Sequence, residues 1–222
     1  MVYFRITMQR QVNKTMKSYP IMLNIEDKAV VVVGGGLIAY RKMVGLLEAG
    51  AYVTVISPVI HSKIEQLVIE NKIAWKDKLF EPDDLNSALI VIAATNSEIV
   101  NTFVASSASK NQLVNIVDNP MLSTFHVPAK LTRGDLTISV ATGGASPTLS
   151  KSIRDELAVI YNDSYVDYLN FLTLSREKVK QSILDQTIKT NLLKAITNDT
   201  YRQSINMQNA FLELIGGYQD KS

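Results

Sequence analysis

Residues 30–42 read Val-Val-Val-Val-Gly-Gly-Gly-Leu-Ile-Ala-Tyr-Arg-Lys: an apolar run, a glycine turn and the start of an amphipathic segment. Four successive valines cannot share the buried face of a half-exposed strand, so they require a strand covered on both faces, which is the setting of a parallel sheet. Gly34 allows a turn too tight for a Cβ, Gly36 lets the backbone approach an anion, and Ala39 permits close packing of helix on strand. Together they give G-x-G-x-x-A, the turn on which the pyrophosphate of a dinucleotide sits. A helix expected over 38–48, with Val44, Leu46 and Leu47 inward, would aim free N–H groups and its positive dipole end at that anion.

The pattern continues as alternating strands and helices. Gly50 ends the first helix, residues 52–56 read as a second strand, and Ile60, Ile64, Leu67 and Val68 recur at helical spacing. A short strand over 72–76 precedes the acidic turn 81–84. Strands over 89–94 and 113–117 flank a helix over 97–110, and the second of them stops at Asp118-Asn119-Pro120. This rhythm implies a doubly wound parallel sheet, so the fold class is α/β with a Rossmann-like domain over 18–127. Beyond Pro128 two strands, 129–133 and 136–141, join at Gly134-Asp135 as a hairpin that a parallel sheet would not supply. Ser146 then reads as a helix N-cap with Pro147 at the first helical position, giving a small α+β element over 128–160. Residues 161–222 read as a helical region with Tyr168, Phe171, Leu172, Leu192, Leu193 and Ile196 as core candidates.

Composition removes several function classes. The chain has no cysteine and only two histidines, His61 and His126, so thiolate chemistry and a histidine-built metal cage are not expected. The net charge of +2 hides an asymmetry. Residues 1–17 carry Arg5, Arg10, Lys14 and Lys17 without an acid and read as a basic, disordered leader, which leaves the rest of the chain acidic. A nucleic-acid partner would need a basic stripe across the folded domain, and none is legible. No apolar run approaches the roughly 20 residues of a membrane helix, and a cytoplasmic location is expected.

In an open parallel sheet the ligand lies beyond the carboxyl ends of the strands. Four such ends are legible: Gly34 to Gly36, Ser57-Pro58-Val59, Thr95-Asn96 and Asp118-Asn119. The second holds neither the acid that often binds the ribose hydroxyls nor an arginine for a 2′-phosphate, which leaves the Ser57 hydroxyl and backbone groups for the adenosine. Thr95 and Asn96 read as contacts of the nicotinamide side or as a helix cap. Asp118 ends an apolar strand, where partial desolvation would make it a usable proton acceptor; an Asx turn before Pro120 is the alternative. His126 reads as a packed residue rather than an actor.

Five ordered motifs carry a resemblance: Gly-Gly-Gly-x-Ile-Ala-x-Arg-Lys at 34–42, Asn115-Ile116-Val117-Asp118, Phe125-x-x-Pro128-Ala129, Arg133-Gly134-Asp135-Leu136, and Gly143-Gly144-Ala145-Ser146-Pro147 running on to Ile153-Arg154. The chain resembles the precorrin-2 dehydrogenase family of sirohaem biosynthesis from about residue 19 to 161, and more loosely beyond. The resemblance implies NAD-dependent oxidation of precorrin-2 to sirohydrochlorin, with Asp118 matching the family's catalytic aspartate. It also implies that Gly36, Leu37, Ile38 and Ala39 together with Ser57, Pro58 and Val59 hold the cofactor. The element after Pro128 would be a dimerisation region, so a homodimer is implied. Precorrin-2 is a polycarboxylate, and Lys130, Arg133 and the helix start at Gly143, Gly144 and Ser146 are the expected contacts, with Arg41, Lys42, Lys151 and Arg154 as further cations. Some relatives also insert iron into sirohydrochlorin, and the motifs do not decide for or against that activity here. A non-catalytic dinucleotide sensor is the alternative of a different class; it would have no need of Asp118 or of cations suited to a polycarboxylate.

Overall fold

A computed structural model describes residues 18–218, so the leader expected over 1–17 lies outside the described residues. The chain divides into two compact units, Tyr19–Val127 and a second that begins at Pro128.

In the first unit, strands β1 (Ala29–Val33), β2 (Tyr52–Ile56), β3 (Ala74–Lys76), β4 (Ile90–Ala93) and β5 (Leu113–Ile116) form one sheet in the order β3-β2-β1-β4-β5. Every pairing is parallel, so all strand carboxyl ends lie at one edge. The valine run divides between two cores. Val30 and Val32 pack on one face with Val53, Val55, Ile64 and Ile92, while Val31 and Val33 pack on the other with Ile56, Leu85, Val91 and Val104. Full burial of such side chains stabilises the fold by about 1.5–3 kcal/mol each.

Helix α1 (Leu37–Glu48) covers the first face with Ala39 and Met43 fully buried and Leu46 and Leu47 partly so. This corrects the expected phase. Ala39 is the anchoring contact, its i+4 neighbour is Met43, and Val44, one position further round the helix, is only half-buried. Helix α2 (Ser62–Ile69) buries Ile64, and α3 (Glu98–Ser107) lays Val104 against the opposite face. The strand expected over 72–76 is shorter, and the expected acidic turn is a single 3₁₀ turn, Pro82–Leu85, with Glu81 and Asp84 capping each other's backbone. Beyond β5 the chain returns along its free edge. The Thr124 hydroxyl accepts the Val114 N–H at 2.8 Å, and the Ser123 hydroxyl accepts the Ile116 N–H at 2.9 Å. Side-chain oxygens thus satisfy an edge that would otherwise invite another strand.

The second unit opens with an antiparallel hairpin, β6 (Ala129–Arg133) and β7 (Leu136–Val140), on which α4 (Pro147–Ile160) packs. As expected, the Ser146 hydroxyl accepts the Leu149 N–H at 3.1 Å and Pro147 opens α4. Four further helices follow: α5 (Ser164–Gln181), α6 (Gln186–Ala195), α7 (Asp199–Gln203) and α8 (Ile205–Gly216). Their core joins Tyr168, Phe171, Val179, Ile196, Phe211 and Ile215. The Tyr168 hydroxyl donates to the Ile196 carbonyl at 2.7 Å, which satisfies its one buried polar atom. No helix of the described residues is long and apolar enough to cross a membrane.

Candidate active site

The order of the strands reverses between β1 and β4, so the crevice at their carboxyl ends is the topological switch point of the sheet. The three glycines after β1 play two different parts there. Gly34 holds φ +119°, and a Cβ on it would stand 2.5 Å from the Ala94 carbonyl oxygen at the end of β4. A Cβ on Gly35 would drive into the Val59 carbonyl oxygen in the loop after β2. Both are required by the chain's own close packing. Gly36 is different: it caps α1 in an extended conformation, and a Cβ there would meet nothing within 4 Å. No side chain caps the amides of the first turn of α1, and Leu37, Ile38 and Val59 expose apolar surface beside them. Uncapped helix amides with an open approach and an apolar rim suit a pyrophosphate and the rings it carries.

At the far side of the same edge, Asp118 follows β5. One carboxylate oxygen, Oδ2, accepts a hydrogen bond from Asn101 Nδ2 at 2.9 Å. Asn101 lies on the inner face of α3 with no solvent exposure. Its Oδ1 accepts the Thr95 N–H at 3.1 Å and the Thr95 hydroxyl at 2.8 Å, and its Nδ2 also donates to the Thr95 carbonyl at 3.2 Å. The ends of β4 and β5 are therefore tied through one buried amide. Asp118 itself is exposed in this unit, so the partial desolvation expected for it is not supplied here; its position comes instead from the Asn101 hydrogen bond. The Asx turn belongs to the next residue, since Asn119 Oδ1 accepts the Met121 N–H at 3.2 Å.

The remaining expected cofactor residues are partly committed within the protein. The Ser57 hydroxyl donates to the Val59 carbonyl at 2.7 Å, and Trp75 Nε1 donates to the Ser57 carbonyl at 2.9 Å. The Ser57 hydroxyl thus keeps only acceptor capacity toward an adenosine. Thr95 is half-buried in the Asn101 network, and the cap of α3 is Ser97, so Thr95 and Asn96 do not form the helix cap. Asn96 is exposed in the loop between β4 and α3, and Pro58 is exposed at the tip after β2.

Comparison with known proteins bears on what this edge holds. Residues 21–129 match an NAD(P)-binding family model, 133–159 a sirohaem biosynthesis protein central model, and 165–211 the SirC C-terminal domain. A precorrin-2 dehydrogenase of Priestia megaterium is 34% identical over 201 residues, spanning 90% of this chain and all of the relative. The chain belongs to the precorrin-2 dehydrogenase family. A second precorrin-2 dehydrogenase, from Bacillus subtilis strain 168, is 36% identical over 72% of this chain and 98% of its own length. A solved structure described as SirC, precorrin-2 dehydrogenase, superimposes with a TM-score of 0.81 at 34% identity, over 90% of this chain and all of that one. A siroheme synthase of Methylobacillus flagellatus is 39% identical, but the match spans only 36% of its length.

For a precorrin-2 dehydrogenase family member, the cations and glycines of the second unit are of interest in their own right. Gly143 and Gly144 hold φ +60° and +86°, and a Cβ on either would meet open space. The Thr142 hydroxyl braces this loop, donating to the Ser146 carbonyl at 3.0 Å and accepting the Ser146 N–H at 3.1 Å. Lys130 pairs with Ser139 near the hairpin end from which the loop departs. Arg133 does not join them. It stands at the opposite, turn end of the hairpin, with Nε 2.9 Å from Asp163 Oδ1 and Nη1 donating to the Thr132 carbonyl at 2.9 Å. Arg154 pairs with Asp155, Arg41 and Lys151 are exposed, and burial pulls the half-buried Lys42 ammonium below its ordinary pKa. Among the described residues no group of three or more His, Asp or Glu is placed to hold a metal ion.

Sequence reasoning missed Asn101, Gly35 and Thr142. A signal existed for the first: Asn101 interrupts the apolar face of an amphipathic helix three residues before Val104.

Proposed function

We propose that this protein oxidises precorrin-2 to sirohydrochlorin with NAD as the electron acceptor and Asp118 as the general base. The observation that carries this reading is the pairing, along one sheet edge, of an open phosphate turn at Gly36 with a carboxylate fixed at one oxygen by Asn101. When bound, the nicotinamide accepts a hydride. The chain's own work is then to hold the dinucleotide through the α1 amides and to take the proton that leaves the macrocycle on the outward oxygen of Asp118. One hydride and one proton leave the substrate, so the oxidation balances.

NAD rather than NADP is supported by the charges around the end of β2. Ser57-Pro58-Val59 carries no cation, and the two lysines near the end of the adjacent β3 are occupied. Lys76 lies 3.0 Å from Asp84, and Lys78 pairs with both Glu81 and Asp84. A 2′-phosphate would have to compete with these carboxylates. For the substrate, Lys130 and the Gly143 to Ser146 loop are the favoured contacts for peripheral carboxylates, while Arg133 serves as a tie to Asp163. A homodimer built on the hairpin and α4 is supported by exposed Leu149, Val159 and Ile160 along that helix. A cytoplasmic site of action suits an enzyme that draws on the NAD pool.

The test of the assigned roles is Asp118→Ala. Turnover is expected to fall by about 10²–10⁴-fold, the usual contribution of a positioned general base, with NAD affinity unchanged by calorimetry. Turnover at the parent rate would remove Asp118 from the mechanism.

A further inference from the structure

We infer that Asn101 is a positioning residue for the reaction: its side-chain amide holds the Asp118 carboxylate by Oδ2 and presents Oδ1 as the proton acceptor. The inference rests on the reading of Asp118 as the base and extends it to a residue buried in α3, outside all five sequence motifs.

The argument starts from the cost of the residue. A primary amide on the inner face of a helix is a poorer helix former than leucine or alanine, and its burial is unfavourable unless every polar atom is paired. Around it the same face of the sheet packs Val91, Val104 and Val114, where an apolar side chain would be at home. Asn101 nevertheless has no solvent exposure and uses both ends of its amide. Its oxygen takes the two Thr95 donors, and its nitrogen serves the Thr95 carbonyl and Asp118 Oδ2. This pattern also fixes the orientation of the amide. A flipped amide would set N–H against the Thr95 N–H and oxygen against the Thr95 carbonyl and the carboxylate, losing three of the four contacts. The donor that meets Asp118 is therefore held from behind by the backbone at the end of β4, the strand beside the dinucleotide turn.

The chemical consequence follows. A carboxylate at the exposed end of a strand turns about its Cα–Cβ and Cβ–Cγ bonds, whereas a general base must hold one oxygen within reach of one proton. A single donor on Oδ2 supplies that restraint and leaves Oδ1 unobstructed.

Asn101→Asp tests the inference, because it keeps an oxygen for both Thr95 donors and replaces the amide group that serves Asp118 and the Thr95 carbonyl with an anion. The expected result is a kcat lower by about 10²-fold, at the low end of what a misplaced base forfeits, with the KM for NAD essentially unchanged. Melting temperature should also fall, because two carboxylates then face each other. Adding Asp118→Asn to the same chain should restore part of it, since the new amide at 118 can donate to the carboxylate at 101 while the Thr95 carbonyl stays unserved, and turnover is then lost with the base. If Asn101→Asp alone does not fold, recovery of a folded protein in the double variant still decides for the contact, and failure to recover decides against it. A parent-like kcat in Asn101→Asp, or a stability loss that Asp118→Asn does not reduce, would overturn the inference. Asp118→Asn alone separates the two levels: if it is inactive while Asn101→Asp is fully active, only the positioning role falls. If it turns over normally, the reading of Asp118 as the base falls with it.

Discussion

Of the three adjacent glycines, Gly34 and Gly35 are demanded by the chain's own packing, and Gly36 is not. This yields opposite outcomes for similar substitutions. Gly34→Ala places a side chain at φ +119° against the Ala94 carbonyl, and the backbone strain alone is expected to cost about 1–3 kcal/mol of stability in denaturant unfolding. Gly36→Asp has room for its side chain and sits at a helix N-terminus that favours an acid, so its stability should stay within about 0.5 kcal/mol of the parent. Its carboxylate would occupy the pyrophosphate position, and calorimetric NAD binding should vanish; unchanged affinity would place the phosphates elsewhere. The glycine spacing was legible because a tight strand-to-helix turn needs a fixed local sequence. Asn101 was not, because a single polar residue on a helix face says nothing of its partners until β4 and β5 are brought together. Ser57 was half legible: its place at the end of β2 follows from the strand pattern, but the capture of its hydroxyl by the Val59 carbonyl depends on the local turn.

Among the elements, the sheet was read almost strand for strand, since buried parallel strands must be continuously apolar and Val30 to Val33 or Ile90 to Ala93 admit few other environments. Helix phase was harder. Choosing Val44 as an inward residue erred by one position, because only the packing of Ala39 on β1 decides which stripe of α1 turns inward. The acidic 3₁₀ turn is the element whose stability responds to pH. Burial pushes the Asp84 carboxyl up, but Lys76, the Glu81 amide and Lys78 outweigh it and hold the group below its ordinary value. A folded-state pKa below the unfolded one contributes stability above the unfolded value and loses it as pH falls through the folded one. Asp84→Asn is therefore expected to cost about 1.5–3 kcal/mol at neutral pH, the range for charged hydrogen bonds. The difference from the parent should close as pH drops below about 4. A gap that stays constant from neutral to acid pH would show that the lysines do not act through the Asp84 charge.

At the scale of the whole molecule, each unit carries its own core: one on each face of the sheet in Tyr19–Val127, another among the helices that follow α4. The division was visible where parallel alternation gave way to a hairpin. The split of the tail into four helices was not, because its turns at Ser182, Asn198 and Ser204 are made by polar residues that also occur inside exposed helices. A fragment of residues 19–127, which holds both sheet cores, should unfold cooperatively in denaturant and bind NAD by calorimetry; a fragment that folds without binding NAD would contradict the proposed dinucleotide turn. The most direct test of the account is anaerobic mixing of the full chain with NAD and freshly generated precorrin-2, with NADH and sirohydrochlorin followed together by their absorbance. The account predicts that the two appear in equal amounts at a rate proportional to enzyme; folded protein that binds NAD but forms neither product would contradict it.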